Sequence, residues 1–378
     1  MATATVAALA IIPTGPALAQ GGSWSSRVES PPPLPPGTVV LPKAAVKPRL
    51  LDMPAHQQSD RRAPAYTGRL EPRGSSVLKS SGPDLTAAKA PPAPSGGDPA
   101  YQAFDNAQFL TALKLAEQAA AKGQPESHTL IARIHSEGHG VPRDLGLAAR
   151  WYYRAAELGD PEAAFALGLM YAEGRGVEKN FPNAAALFER AAATGHFYAN
   201  YNLGMMFLSG RGKPENPIRG AQHIAYAAEK GIAAAQYDLA TLYINGHGVP
   251  ADGFLASRWL KRAAEFGMAE AQFDYAIMLL KGQGLNADRP DALRYLTAAA
   301  EQGLSAAQNR LAHGLLEGFG GTKNPREAAK WRLIAKSQGL SDDKLDAQLA
   351  RLPGADRAAA EVLASQWRER AHIGAGRP

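Results

Sequence analysis

The chain has 378 residues, of which 45% are hydrophobic, and it carries 41 Lys and Arg against 35 Asp and Glu, a formal charge of +6. This length and apolar fraction allow one or two domains with a buried core. Because the sequence has no cysteine, it cannot hold a disulfide scaffold, a Cys-ligated zinc ion or a thiol nucleophile.

The first twenty residues resemble an export signal. Their apolar run, residues 7–12, is far shorter than the ~20 residues of a membrane-spanning helix. Pro13, Pro16 and the sequence Ala17-Leu18-Ala19 follow it, which is typical of a signal peptidase site. We therefore predict a signal peptide over 1–19 and a periplasmic protein. No Lys or Arg precedes the apolar run, so an uncleaved tail on a cytoplasmic protein and a start codon further upstream both stay open.

Residues 20–99 are rich in proline, with PPPLPP at 31–36, and contain only two aromatic residues, Trp24 and Tyr66. Such a composition predicts a disordered linker. Residues 21–100 hold ten Lys and Arg against six Asp and Glu, whereas residues 101–340 hold 25 against 23. Most of the positive charge thus lies outside the predicted folded part, and we predict no nucleic-acid partner.

A period of 36 residues runs through the rest of the chain. The pair G-x-G recurs at that step six times, and its first glycines are Gly138, Gly174, Gly210, Gly246, Gly282 and Gly318. A second glycine series keeps the same step, at Gly123, Gly159, Gly195, Gly231, Gly267, Gly303 and Gly339. Such phased series are the signature of a repeat architecture.

Each period predicts two helices. In helix A, Ala163, Leu167 and Tyr171 form an apolar stripe, which ends at Gly174, because glycine adopts the left-handed backbone that closes a helix. The start of helix B is marked by Asp or Asn in every copy, as at Asp144, since these side chains cap free N–H groups. Helix B ends at the second glycine series.

One such helix pair cannot bury its apolar face alone, so neighbouring pairs must stack. The predicted fold is all-α: a right-handed α-α superhelix over residues 100–340, with six full repeats and a first copy reduced to helix B at 109–122. Residues 341–378 predict two further helices, which would cap the solenoid end.

The pattern A-x-x-x-L-G-x-M-Y-x-x-G-x-G-V followed by A-x-x-x-x-x-R-A-A-x-x-G, at residues 163–195, resembles the Sel-1-like repeat, a relative of the tetratricopeptide repeat. The resemblance covers residues 101–340. It implies a superhelix whose concave face, lined mainly by helices A, binds partner proteins or peptides. Bacterial members are often exported adaptors in envelope signalling, polysaccharide export or host contact. A cysteine-rich branch with disulfide-stapled repeats binds β-lactams, and the lack of cysteine separates this chain from it.

No residue set in the sequence indicates catalysis, a metal site or a cofactor. His135 and His139 are the closest histidine pair, but His135 takes the core position of Tyr171 and His139 the variable centre of G-x-G, and a third ligand is missing. The G-x-G sequences follow a helix rather than a strand, so they predict a turn and not a phosphate loop.

Candidate binding residues are those that vary on helix A while the frame stays fixed. A polar column at the 36-residue step is predicted to face a partner, and an aromatic column beside it either joins that surface or completes the core. The polar column is Asn202, Asp238, Asp274 and Arg310, and the proposed aromatic contacts are Tyr201 and Tyr237. We expect Asp238→Arg with Asp274→Arg to abolish partner capture without loss of thermal stability.

The sequence thus predicts an exported, monomeric, non-enzymatic scaffold for a protein or peptide partner, in envelope signalling or polysaccharide export. The alternative is an enzyme or small-molecule binder that acts on cell-wall material.

Overall fold

Each 36-residue period folds as a pair of packed helices, and the pairs follow one another along the chain. The computed structural model describes residues 97–375, with side chains through Ala371. The predicted signal peptide at 1–19 and nearly all of the predicted linker lie outside the described residues.

The six repeats, numbered 1 to 6, use helices of equal length. The helices A are α3 (Pro125–Glu137), α5 (Pro161–Glu173), α7 (Phe197–Ser209), α9 (Ala233–Asn245), α11 (Ala269–Lys281) and α13 (Ser305–Glu317). The helices B are α4 (Leu145–Glu157), α6 (Phe181–Ala193), α8 (Pro217–Glu229), α10 (Gly253–Glu265), α12 (Arg289–Glu301) and α14 (Pro325–Ser337). Before them come α1 (Pro99–Asp105) and α2 (Phe109–Ala120), and after them α15 (Asp343–Leu349) and α16 (Gly354–Ala375).

The predicted helix ends are confirmed. The first glycine of each G-x-G closes helix A in the left-handed region, with φ between +65° and +81°. The Asp or Asn before each helix B accepts a hydrogen bond of 2.8 to 3.1 Å from the backbone N–H three residues later. One such cap stabilises a helix by about 1 kcal/mol.

The second glycine of G-x-G also holds neighbouring repeats together. At Gly248, where φ is +74°, a Cβ atom would lie 2.1 Å from the carbonyl oxygen of Pro217, at the start of the preceding helix B. The turn of one repeat therefore rests on the backbone of the repeat before it. Within a repeat, small residues likewise let the two helices approach closely. A Cβ atom at Gly168 of α5 would lie 2.7 Å from the Phe188 ring of α6.

A ladder of buried amides joins each of the last four helices A to the helix B before it. Their side chains donate to carbonyl oxygens in the last turn of that helix at 3.1 to 3.4 Å, and the donors are Asn200, Gln236, Gln272 and Gln308. These residues are at most 7% exposed. Each of these carbonyl oxygens also accepts the backbone N–H of the glycine three residues later. The amide therefore adds a second hydrogen bond to the helix end, and its own buried N–H group gains an acceptor across the repeat boundary.

The first copy has more structure than the sequence predicted. The predicted helix B is α2, but the short helix α1 precedes it. Asp98 caps α1 by accepting a 2.8 Å hydrogen bond from the Ala100 backbone N–H, and Pro99 occupies its first turn. Phe104 of α1 is buried, so α1 covers the N-terminal end of the stack.

The C-terminal end is held by a polar network. Arg332 stands in the register of the buried Leu260 and Leu296 and is itself only 1% exposed. Its guanidinium makes two bonds to the Asp346 carboxylate, at 2.7 and 3.1 Å. Asp342, in turn, caps α15 and accepts from Asn309 at 2.9 Å. The predicted cap is thus anchored by a residue specific to the last repeat: Arg332, where the two repeats before it have leucine.

The architecture confirms the predicted all-α solenoid of 36-residue repeats with a helical cap. Within residues 97–375, no helix has the length and apolarity needed to cross a bilayer.

Candidate partner-binding site

The helices A present two neighbouring columns of half-buried side chains, and we call this surface the A face. The first is the predicted polar column, Asn202, Asp238, Asp274 and Arg310. The second lies three residues further along each helix, hence on the same side, and consists of Leu169, Met205, Thr241, Ile277 and His313. The structure therefore brings the four polar residues together on one surface, one per repeat.

Two carboxylates of the polar column are held from the repeat before them. The Tyr201 hydroxyl donates to Asp238 Oδ2 at 2.8 Å, and the Tyr237 hydroxyl donates to Asp274 Oδ2 at 2.7 Å. Both pairs are 37 residues apart, which is one repeat plus one residue. The tyrosines thus link adjacent helices A and fix the rotamers of the two carboxylates.

The surroundings of Asp238 favour its neutral form. Burial raises the pKa of this carboxyl to about 6, although the hydrogen bond from Tyr201 acts in the opposite direction. Burial, followed by the nearby Asp238 charge, raises the pKa of Tyr201. At neutral pH the pair therefore presents a carboxylate held by a neutral phenol, which can accept a hydrogen bond or a positive charge from a ligand.

The two tyrosines differ in exposure. Tyr201 is 7% exposed, which fits the alternative that the aromatic column completes the core. Tyr237 is half-buried. Both hydroxyls are engaged inside the protein. Their contact with a partner remains a prediction.

The surroundings of Asp238 and Asp274 change what we expect of their replacement by Arg: the double substitution should lower stability as well as partner capture. Each carboxylate is half-buried and accepts a tyrosine hydrogen bond. An arginine there would leave the hydroxyl without its acceptor and bring a cation into a partly dehydrated site, which destabilises a fold.

Asn202 and Arg310 differ from the two aspartates because phenylalanine, not tyrosine, stands 37 residues before each of them. Asn202 instead donates to the Tyr198 carbonyl oxygen at 2.9 Å. The Arg310 guanidinium lies 5.8 Å from the centre of the Phe319 ring, and its buried Nε has no hydrogen-bond partner. The column therefore changes from two carboxylates to a cation along the A face.

Charge is divided between the two helix layers. The six helices A hold eight Asp and Glu against three Lys and Arg, a net charge of −5. The six helices B hold seven against thirteen, a net charge of +6. The near-neutral total of the solenoid hides this separation, which no composition count could reveal.

The histidines whose side chains the structure describes form no metal-like cluster. His135 is half-buried in α3, where burial lowers its pKa. His139 lies in the turn and stacks on Phe109 with ring centres 4.4 Å apart. In the part of the chain that the structure describes, no three His, Asp or Glu side chains are grouped as metal ligands would be.

Stacked two-helix repeats with glycine-closed helices define the class of the protein: an α-solenoid of the tetratricopeptide-like kind. The Sel1 repeat model matches six consecutive segments, residues 125–160, 161–196, 197–232, 233–267, 269–304 and 305–340. These segments make up more than half of the chain, and the protein belongs to the Sel1 repeat family. Sel1-repeat proteins are in general scaffolds for protein interaction.

A solved structure of a Sel1 repeat protein agrees with this assignment. The protein is similar to a Sel1 repeat protein from Oxalobacter formigenes, with 29% sequence identity and a TM-score of 0.56. The alignment covers 65% of this chain and the whole of the Oxalobacter chain. A protective antigen of uropathogenic Escherichia coli with an SLR fold shares 25% sequence identity, with a TM-score of 0.48. That alignment covers 71% of this chain and 68% of the antigen. Among curated proteins, none matches the sequence significantly.

Proposed function

We propose that this protein is an exported adaptor that binds an extended segment of a partner protein on the A face, and that it serves envelope signalling or polysaccharide export. The observation that carries the proposal is the pair of Tyr–Asp hydrogen bonds, which place equivalent carboxylates on successive repeats. Packed helices lie roughly 10 Å apart, and an extended chain rises about 3.3 Å per residue. Every third residue of a partner segment would then meet a new repeat.

The half-buried column of Leu169, Met205 and Ile277 beside the polar column supports the same proposal. It offers apolar area for partner side chains, while the polar column offers hydrogen bonds and charge that set the register. The proposed scaffold is non-enzymatic and acts as a monomer.

A double substitution that removes charge but keeps the shape of both side chains tests this function. Asp238→Asn with Asp274→Asn removes both negative charges while each amide oxygen can still accept the tyrosine hydrogen bond. Glu229→Gln with Glu265→Gln is the matched control, because both glutamates are exposed on helices B. After cross-linking in intact cells, we expect the partner adduct to be lost in the first variant and kept in the control. Equal adducts in the two variants would contradict the proposal.

Export has its own test. The mature protein should begin after Ala19, and its N-terminal sequence would show this directly. An intact Met1 on protein from the cytoplasmic fraction would overturn the periplasmic location without touching the proposal for the A face.

A further inference from the structure

Bulky apolar side chains are exposed mainly at the two ends of helices B, whereas the proposed partner site lies on helices A. Seven large hydrophobic residues are at least 36% exposed in the described part. Four lie on the six helices B or on the residues that cap them, Leu158, Ile218, Phe254 and Phe266, and a fifth, Leu110, lies on α2, the helix B of the first copy. The helices B are also the layer with the net charge of +6. Half of that charge belongs to α14, where Lys330 and Arg332 are buried beside Glu327 and Asp346. In α10, by contrast, three Lys and Arg against one Glu lie on the exposed side of the helix, with exposed phenylalanines at its two ends.

The two features meet at α10. Phe254 in its first turn is 57% exposed and Phe266 at its C-terminal cap is 65% exposed. Twelve residues of helix separate them, which is roughly 18 Å along the axis. Ile218 holds the position of Phe254 one repeat earlier and is 63% exposed. We call these three residues, with Arg258, Lys261 and Arg262 of α10, the α10 patch.

The three cations of the α10 patch lie between the exposed phenylalanines. The Arg258 guanidinium is 5.8 Å from the centre of the Phe254 ring, and that of Arg262 is 4.6 Å from the Trp259 ring. The Lys261 side chain is half exposed and lies 3.8 Å from Glu265, the single acidic residue of α10. The helix thus keeps a positive charge next to its exposed apolar side chains.

We propose that the α10 patch docks the protein onto the surface of an anionic lipid bilayer. Phenylalanine and isoleucine side chains with Lys and Arg beside them suit the boundary between acyl chains and anionic headgroups. The three apolar residues protrude from separate places along a ridge rather than lining a pocket, so each can enter a soft lipid interface on its own. A folded acidic protein would need a complementary apolar surface against the same ridge.

The distribution of the two charged layers gives the docked protein a defined orientation. With the positive helices B towards the lipid, the helices A, whose net charge is −5, stay directed away from the headgroups, which repel carboxylates. The protein would then hold its partner on the side away from the bilayer.

Sedimentation with lipid vesicles tests the proposal on the full chain. We expect the protein to sediment with vesicles of phosphatidylcholine containing one-third phosphatidylglycerol, not with pure phosphatidylcholine, and less strongly at raised salt. Arg258→Gln with Lys261→Gln should lower the partition coefficient about fivefold per cation removed. Phe254→Ser with Phe266→Ser should lower it by about tenfold or more.

Controls on equally exposed sites distinguish the patch from a general effect. Leu110→Ser alters a side chain that is 64% exposed at the far N-terminal end, and Lys344→Gln with Arg351→Gln removes two exposed cations of the cap. All should sediment like the wild type. No sedimentation with anionic vesicles, or equal losses in the controls and the patch variants, would overturn the proposal. Retention on immobilised polyglutamate without vesicle binding would also overturn it and assign the patch to an acidic polypeptide.

Discussion

The hydroxyl of Tyr201 donates a 2.8 Å hydrogen bond to the carboxylate of Asp238, which lies on the helix A of the next repeat. Tyr237 and Asp274 repeat this arrangement one step further along. The same contact therefore joins successive repeats and positions the carboxylates of the A face. If the A face binds a partner as proposed, stability and partner recognition depend on the same two pairs.

Tyr201→Phe should lower the free energy of unfolding by about 1 to 2 kcal/mol, because the half-buried Asp238 carboxylate loses its donor. Tyr198→Phe is the control, since Tyr198 is a half-buried tyrosine of the same helix that makes no such contact. Urea unfolding of the two variants measures the difference. A loss of equal size in both would show that the Tyr201 hydroxyl does not support the pair.

The raised pKa of Asp238 predicts a pH dependence. Its carboxyl titrates near 6 in the folded protein against an ordinary value of 3.8, so the folded state binds more protons between these values. The free energy of unfolding should therefore fall as the pH rises from about 4 to 6, by no more than about 3 kcal/mol. Asp238→Asn should remove this fall, and an unchanged pH profile in that variant would contradict the assignment.

His223 should act in the opposite sense within nearly the same range. Burial, followed by the nearby Arg219 charge, lowers the pKa of His223 to about 4, so the unfolded state binds more protons between pH 4 and 6.5. Stability due to this residue should rise with pH across that window. The rise should be clearest in the Asp238→Asn background and should vanish when His223→Gln is added.

The contact made by Gly248 can be separated from its backbone conformation. Gly248→Ala and Gly267→Ala both place a side chain at positive φ, +74° and +88°, but only the first adds a Cβ atom 2.1 Å from a carbonyl oxygen, whereas nothing lies within 4 Å of the second. Each should lose about 1 kcal/mol for its backbone. We expect Gly248→Ala to lose at least about 2 kcal/mol more in urea unfolding, because neighbouring repeats must move apart.

The network at the cap should depend on the one buried arginine. Arg332→Leu restores the leucine found at this position in α10 and α12, yet leaves Asp346 without its main partner, and we expect a loss of about 3 kcal/mol together with faster amide exchange in α15. Arg326→Leu breaks the pair of Arg326 and Asp356, whose side chains are 55% and 33% exposed, and should cost at most about 1 kcal/mol. Equal effects of the two substitutions would show that the cap does not depend on Arg332.

The sequence predicts most of the frame because the frame depends on local chemistry. Glycines at positive φ, capping Asp and Asn, and small residues between helices each leave a periodic signal. The amides of Asn200, Gln236, Gln272 and Gln308 keep the same step, but a glutamine in a helix is usually a surface residue. Only stacking shows that Gln236 is buried and reaches the Ala228 carbonyl oxygen. From the sequence alone, Arg332 would likewise be taken for an exposed residue. Only the packing of α15 shows that the Asp346 carboxylate pairs with it in the interior.

The residues of the polar column could be identified because they vary while the rest of each repeat stays fixed. The hydrogen bonds that hold two of them could not be identified from the sequence. The Tyr201–Asp238 contact has a step of 37 residues, not 36, because a side chain reaches one residue further along the next helix. Pattern matching at the repeat period therefore aligns tyrosines with tyrosines and misses the pair. Because these pairs are not apparent in it, the sequence alone predicts that replacement of both aspartates by Arg leaves thermal stability unchanged.

The central claim, that the A face holds a partner, is tested most directly by photo-cross-linking in intact cells with a photoreactive residue at Thr241, on the A face, or at Gln222, exposed on α8. Both variants should first show the thermal unfolding midpoint of the wild type. We expect one discrete adduct from position 241 and none from position 222. An adduct from position 222 alone, or the same adducts from both positions, would contradict the claim.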